Sequence, residues 1–285
     1  MKSEDDVDEK LDAAGHALYR SAVGLAQHLS IFRADILYTL KQLGRFLESP
    51  TVGMLKAAKH LGRYLAGTKD YSVVMFSPRL QDMKFSPRLS DMREPIKLNV
   101  ITDANWAACR RTRKSTHCVH ISLGHACPLL TRCATQGCIA LSSGEAEWYG
   151  GVAGSADALL MKSVMEWLGW RLRINLYMDS SAARGMAAKI GIGKMRTVEI
   201  RTLWLQEKVR KKALAVFRVR GEQNVADIGT TGLSAERLAL LSMHVGLVSC
   251  GPGMRPPDRR LLDCLESHNG AMPRQEWGQA SKGLR

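Results

Sequence analysis

The 285-residue chain carries 41 lysines and arginines against 27 acids, a formal charge of +14 and a pI near 9.7. Such an excess points to a polyanionic partner, nucleic acid being the commonest case. No apolar run approaches the ~18–20 residues of a membrane span, the opening MKSEDDVDEK is acidic rather than a secretory signal, and seven cysteines without a CxxC pair do not make a disulfide scaffold. An intracellular protein, cytoplasmic or nuclear and not secreted, is the expectation.

Residues 1–16 read as a disordered acidic lead. Over 17–47, Leu18, Val23, Leu25, Leu29, Ile36, Leu37, Leu40 and Leu43 recur at helical spacing, and Ser49-Pro50 ends the pattern. A second helix is expected from Val52 to Leu65, stopped by Gly67, and a short strand over Tyr71–Phe76; together 17–76 form a small helical unit. FSPRLQDMK (76–84) is then followed by FSPRLSDMR (85–93), a tandem duplication read as an exposed linker over 77–95.

From 96 to 248 the pattern becomes strand, strand, strand, then alternating helix and strand. The strands are KLNVITDANW (97–106), KSTHCVHISLG (114–124) and ACPLLTRCAT (126–135), with Gly124-His125 as the hairpin turn. A long helix starts at Ser142 or Ser143 and runs to Leu168. A strand over 171–178, a short helix over 181–189, a helix across 198–212, a strand over 213–220 and a final helix over 224–241 follow. Three antiparallel strands succeeded by α/β crossovers make a mixed five-stranded sheet flanked by helices. Residues 249–285, rich in Gly, Pro and Arg, read as a flexible tail. HCVH (117–120) is a tempting metal motif, but strand alternation sends His117 and His120 to opposite faces.

Four acids stand at places where such a fold exposes side chains: Asp103 at a strand end, Glu145 in the first turn of the long helix, Asp179 at another strand end and Asp227 near the start of the last helix. Carboxylates converging on one edge repel unless cations sit among them. An oxygen-only set of this kind suits Mg²⁺, two ions, with Mn²⁺ also possible. Glu147, two positions from Glu145, is expected to face elsewhere as a first-turn or surface charge, and Trp106 to pack beneath the active edge.

The motifs ITDANWA (101–107), RRTRKST (110–116), ALSSGEAEWYG (140–150), INLYMDSSAA (174–183), VEIRTLWLQEKV (198–209) and EQNVADIGTTGL (222–233) resemble the RNase H domain of copia-type LTR retrotransposon Pol polyproteins. YRSAVG (19–24) and MLKAAKHLGRYLAGTKDY (54–71) resemble the reverse transcriptase connection segment of the same polyproteins, without a polymerase palm.

The resemblance implies a ribonuclease H-like fold and a metal-dependent endonuclease that cuts the RNA strand of RNA–DNA hybrids. It implies metal-binding carboxylates at Asp103, Glu145, Asp179 and Asp227, and the polymerase portion of a parent polyprotein as a further partner. Arg110, Arg111, Arg113, Lys114, Lys194 and Arg196 are candidate nucleic-acid contacts. The alternatives are a catalytically silent nucleic-acid-binding remnant and an integrase-like nuclease of the same fold.

Overall fold

The computed structural model describes residues 9–75, 95–124, 127–193 and 195–250. The duplicated FSPRL segment, His125 of the expected hairpin turn, Lys194 and the chain beyond 250 lie outside the described residues.

Three helices come first: α1 (Ala13–Leu29), α2 (Leu37–Gly44) and α3 (Val52–Gly67). The single helical stretch expected over 17–47 is broken. α1 begins early because Asp12 caps it, its carboxylate accepting from Gly15 N at 2.8 Å. It stops at Leu29, and beyond it Arg33 pairs with Asp35 at 2.7 Å and donates to Thr68 O at 3.0 Å. A 3-10 turn, Ala34–Ile36, then leads into α2. Tyr19, Val23, Ile36, Leu40, Leu43, Ala58 and Leu61 form the core between these helices.

The strands are β1 (Tyr71–Val73), β2 (Ile96–Asn105), β3 (Thr116–Leu123), β4 (Cys127–Thr135), β5 (Leu172–Met178), β6 (Leu214–Arg218) and β7 (Leu247–Ser249). Five of them make one mixed sheet in the order β4-β3-β2-β5-β6. β2 pairs antiparallel with β3 and β3 with β4, whereas β5 and β6 add in parallel. This is the mixed, helix-flanked sheet expected from the sequence.

The long helix α4 (Ser143–Trp167) lies across one face of the sheet, over Leu98, Val100, Val119, Ile121, Ile174 and Leu176. Glycines permit the close approach. A Cβ on Gly154 would meet Thr102 Cγ2 at 2.7 Å, and one on Gly151 would meet Met178 Sδ at 2.7 Å. α5 (Ser181–Ala187) and α6 (Trp204–Arg210) follow, the latter preceded by a 3-10 turn, Ile200–Thr202, where one longer helix was expected.

The final helix expected over 224–241 is also divided, into α7 (Asp227–Thr230) and α8 (Ala235–His244). Thr231 is extended (φ −130°, ψ 147°), and Ser234 opens a new helix by accepting from Arg237 N at 3.3 Å.

The second face of the sheet joins the two halves of the chain. Ala34 and Leu37 share one apolar cluster with Cys118, Val225, Ile228, Leu241, Val245 and Leu247. β1 pairs antiparallel with β7, Tyr71 opposite Ser249, so the helical unit is tied to the end of the described chain.

Candidate active site

β2 and β5 run parallel with Thr102 opposite Met178. Asp103 and Asp179, one residue further on each, therefore stand side by side at the end of the sheet. The structure adds Glu147 to this pair. One carboxylate oxygen from each of Asp103, Glu147 and Asp179 lies within 4.8 Å of the others, and each acid comes from a different element or its end.

The expected partner, Glu145, is not brought into this group. Ser142 caps α4 by accepting from Glu145 N at 3.2 Å, and Glu145 Oε2 reaches back to accept from Leu141 N at 3.0 Å. This reciprocal arrangement is a variant of the capping box. Thr197 Oγ1 (2.8 Å) and Tyr149 OH (3.0 Å) also donate to the Glu145 carboxylate, so its oxygens are fully engaged in the fold.

Glu147 lies about 200° further round the helix. That turn places it on the Gly150–Gly151–Gly154 face that packs against the sheet. Its Oε1 accepts from Ala104 N at 3.0 Å, and its buried Oε2 has no hydrogen-bond partner. The expectation that Glu147 faces elsewhere as a surface charge is corrected: it is only 7% exposed. The signal was available. Serine followed three residues later by glutamate marks a helix cap, and a stripe of glycines marks the face that touches the sheet.

Asp103 is anchored by two donors, Thr230 Oγ1 to Oδ2 and Asn224 Nδ2 to Oδ1 at 3.2 Å. It does not end its strand, which runs on to Asn105. Asp227 stands at the rim outside the three-acid group, 3.3 Å from the Arg237 guanidinium. Burial, and then the charges of Asp227 and Asp179, push the Asp103 carboxyl up to about 7 against the donation from Thr230. Burial, and then the charges of Asp103 and Asp179, push Glu147 up to about 9. Asp227 is raised by burial and restrained by Arg237.

These shifts are the cost of burying carboxylates and, after that, of bringing them together. The donor set is all oxygen, closely spaced, and includes one buried oxygen without a partner, which fits Mg²⁺ or Mn²⁺. HCVH makes no such group. His117 and His120 occupy opposite faces as expected, and His120 Nδ1 meets Thr131 Oγ1 at 2.9 Å.

Arg110, Arg111 and Arg113 are exposed on the loop that follows β2, and Lys114 is half-buried. Arg113 adopts φ 54°, and the loop is closed by Arg113 N to Cys109 O at 2.7 Å and Cys109 N to Lys114 O at 3.2 Å. Arg196 is exposed on the loop between α5 and α6. Trp106, expected beneath the active edge, is instead half-exposed, with its indole N–H donating to Ala140 O at 2.8 Å.

A mixed five-stranded sheet in the order β4-β3-β2-β5-β6, with acids gathered beside its two parallel central strands, defines a ribonuclease H-like α/β fold. The sequence is similar to curated retrotransposon polyproteins. It is 27% identical over 237 residues to the retrovirus-related Pol polyprotein from transposon RE1 of Arabidopsis thaliana, covering 82% of this chain and 15% of that one. It is 28% identical over 236 residues to the corresponding polyprotein from transposon TNT 1-94 of Nicotiana tabacum, covering 81% and 16%. The chain thus spans 15–16% of the length of the curated relatives it matches. No protein-family model matches it.

Among solved structures, it resembles the N-terminal RNase H domain of a Mycobacterium tuberculosis protein, with a TM-score of 0.34 and 14% identity over 46% of this chain and 92% of that one. It also resembles the prototype foamy virus protease-reverse transcriptase, with a TM-score of 0.32 and 11% identity over 56% of this chain and 22% of that one. Among the described residues no helix is long and apolar enough to cross a membrane.

Proposed function

We propose that the protein is a metal-dependent endonuclease of the ribonuclease H type, hydrolysing the RNA strand of an RNA–DNA hybrid. The observation that carries this reading is the convergence of Asp103, Glu147 and Asp179 within 4.8 Å at one end of the sheet. These three acids would hold the divalent cations, with Asp227 at the rim in an outer position. When bound, two Mg²⁺ ions, or Mn²⁺, would supply water activation and charge neutralisation at the scissile phosphate. Asn224 and Thr230 fix the Asp103 carboxylate, and Ala104 N fixes that of Glu147, so the acids are oriented before substrate arrives.

Arg110, Arg111, Arg113 and Lys114 would meet backbone phosphates, with Arg196 and Lys194 as further candidate contacts. A hybrid would be read through its shape and 2′-hydroxyls rather than its sequence. The helical unit would join the nuclease to a polymerase portion. In support, Leu18, Leu25, Leu29, Ile31 and Phe32 stand exposed on α1 and just beyond it.

The test is cleavage of a hybrid labelled on its RNA strand, with Mg²⁺ or with EDTA, by the full chain and by Asp179→Asn. Metal-dependent cutting of RNA alone, lost in the variant, is the expected result. Hybrid bound but never cut under any metal would leave the silent binding remnant as the function.

A further inference from the structure

Six tryptophans occur in the chain, and Trp106 is placed unlike a core residue. Trp148 is fully buried, with its indole N–H spent on Thr202 Oγ1 at 2.8 Å. Trp106 is 48% exposed although its N–H is likewise satisfied, by Ala140 O. The bond therefore fixes the ring in place without covering it.

The same bond draws Trp106 to the segment bearing Ile139 and Leu141, which are 51% and 65% exposed. Leu141 is itself anchored, its N–H donating to Glu145 Oε2 at 3.0 Å. On the other side, Ala107 takes the left-handed conformation (φ 49°) and its N–H is held by Ser115 Oγ at 3.1 Å. Three apolar side chains are thus presented to water by a braced backbone, where exposure costs free energy unless something covers them.

Their position says what the cover is. Trp106 lies three residues beyond Asp103 on the same chain segment, and Leu141 immediately precedes Ser142, the cap of the helix that carries Glu147. The two halves of the apolar surface hang from the elements that supply two of the three acids. The chain leaving Trp106 enters the loop of Arg110, Arg111 and Arg113, all exposed, so Trp106 lies in the chain between an acid that suits cations and cations that suit phosphates.

We infer that Trp106, Ile139 and Leu141 form an apolar shelf that bears on the sugar edges of the hybrid's minor groove beside the acid cluster, an inference that rests on the hybrid reading above. In an intact duplex the base faces are covered by their neighbours, which leaves the sugars for a flat apolar surface to meet. The wide, shallow minor groove of an A-like helix admits such a surface.

The test is equilibrium binding of a labelled RNA–DNA hybrid to the full chain in EDTA, where nothing is cut, across a series of salt concentrations. Trp106→Ala should weaken binding about tenfold, the scale of losing the burial of part of one large apolar side chain. The slope against salt should stay unchanged, because no phosphate contact is removed. Ile139→Ser with Leu141→Ser, both at exposed positions, should weaken it several-fold with an unaltered melting temperature, and this pair decides the matter if Trp106→Ala fails to fold. Hybrid bound equally by wild type and by the folded variants overturns the shelf and leaves the hybrid reading standing. A wild-type chain that binds no hybrid overturns both.

Discussion

Asp103 and Glu147 are held where ionisation is unfavourable, and this gives the metal-free protein a definite pH dependence. Their folded values, about 7 and about 9, stand above the ordinary 3.8 and 4.5. Between the ordinary and the raised values the folded state keeps protons that the unfolded chain has released, so stability falls as pH rises through that window. The metal-free melting temperature should therefore decline from pH 7 to pH 9, above the range in which buried His117 and His120, pushed down to about 4, add stability as pH rises, and Mg²⁺ should raise it more at pH 8 than at pH 5. A flat metal-free profile would contradict the burial and mutual repulsion of the acids. For the same reason Asp103→Asn should melt no lower than wild type in EDTA while losing hybrid cleavage; cleavage retained by that variant would take Asp103 out of the metal site.

At the scale of elements, the glycines of α4 set how closely Glu147 approaches the sheet. Gly154→Ala would place a methyl 2.7 Å from Thr102 Cγ2 and 3.0 Å from Val100 Cγ1. Overpacking of this kind costs about 1–3 kcal/mol, and cleavage should fall with stability because the helix carrying Glu147 is displaced. Gly24→Ala is the control: nothing lies within 4 Å of its Cβ, and an α1 helix with alanine there should be more stable by about 0.5–1 kcal/mol. Melting curves for both variants check the pair, and equal effects would mean that the close approach is not limiting.

These elements also show what the sequence disclosed and what it concealed. β-branched alternation located β2, β3 and β5 to within a few residues, since period-two burial is written directly in residue order. Asp103 and Asp179 followed from that alternation. Glu147 did not, because the sequence reading gives the site to Glu145, and the ~200° between the two then turns Glu147 away from it. The breaks at Ser30–Arg33 and Thr231–Leu233 were hidden for a different reason. They are imposed by partners remote in sequence, Thr68 for Arg33 and the second face of the sheet for Ile228.

For the whole molecule, the helical unit and the sheet behave as one body. Ala34 and Leu37 share a cluster with Ile228 and Leu241, and β1 pairs with β7. Removing residues 1–93 would bare Val225, Ile228, Leu241, Val245 and Leu247, so the truncated chain should melt lower and self-associate, as light scattering and thermal unfolding would show. A truncated chain as stable and soluble as the parent would mean that the shared cluster adds nothing. At this scale the grip on nucleic acid is set by charge. Replacing Arg110, Arg111, Arg113 and Lys114 by alanine should lower hybrid affinity and flatten its dependence on salt, in contrast to the shelf variants, because each lost phosphate contact removes about one released counterion.

On the proposed function, Asp103, Glu147 and Asp179 do the chemistry, whereas Glu145 belongs to the fold. The decisive measurement is the rate of Mg²⁺-dependent cleavage of the RNA strand, taken side by side for wild type, Glu147→Gln and Glu145→Gln. Glu147→Gln should lose cleavage by at least about 100-fold with its melting temperature held or raised, while Glu145→Gln should melt lower, by about 1 kcal/mol for a damaged cap, and keep cleavage within about tenfold. Cleavage abolished in a stably folded Glu145→Gln and preserved in Glu147→Gln would contradict this division of roles.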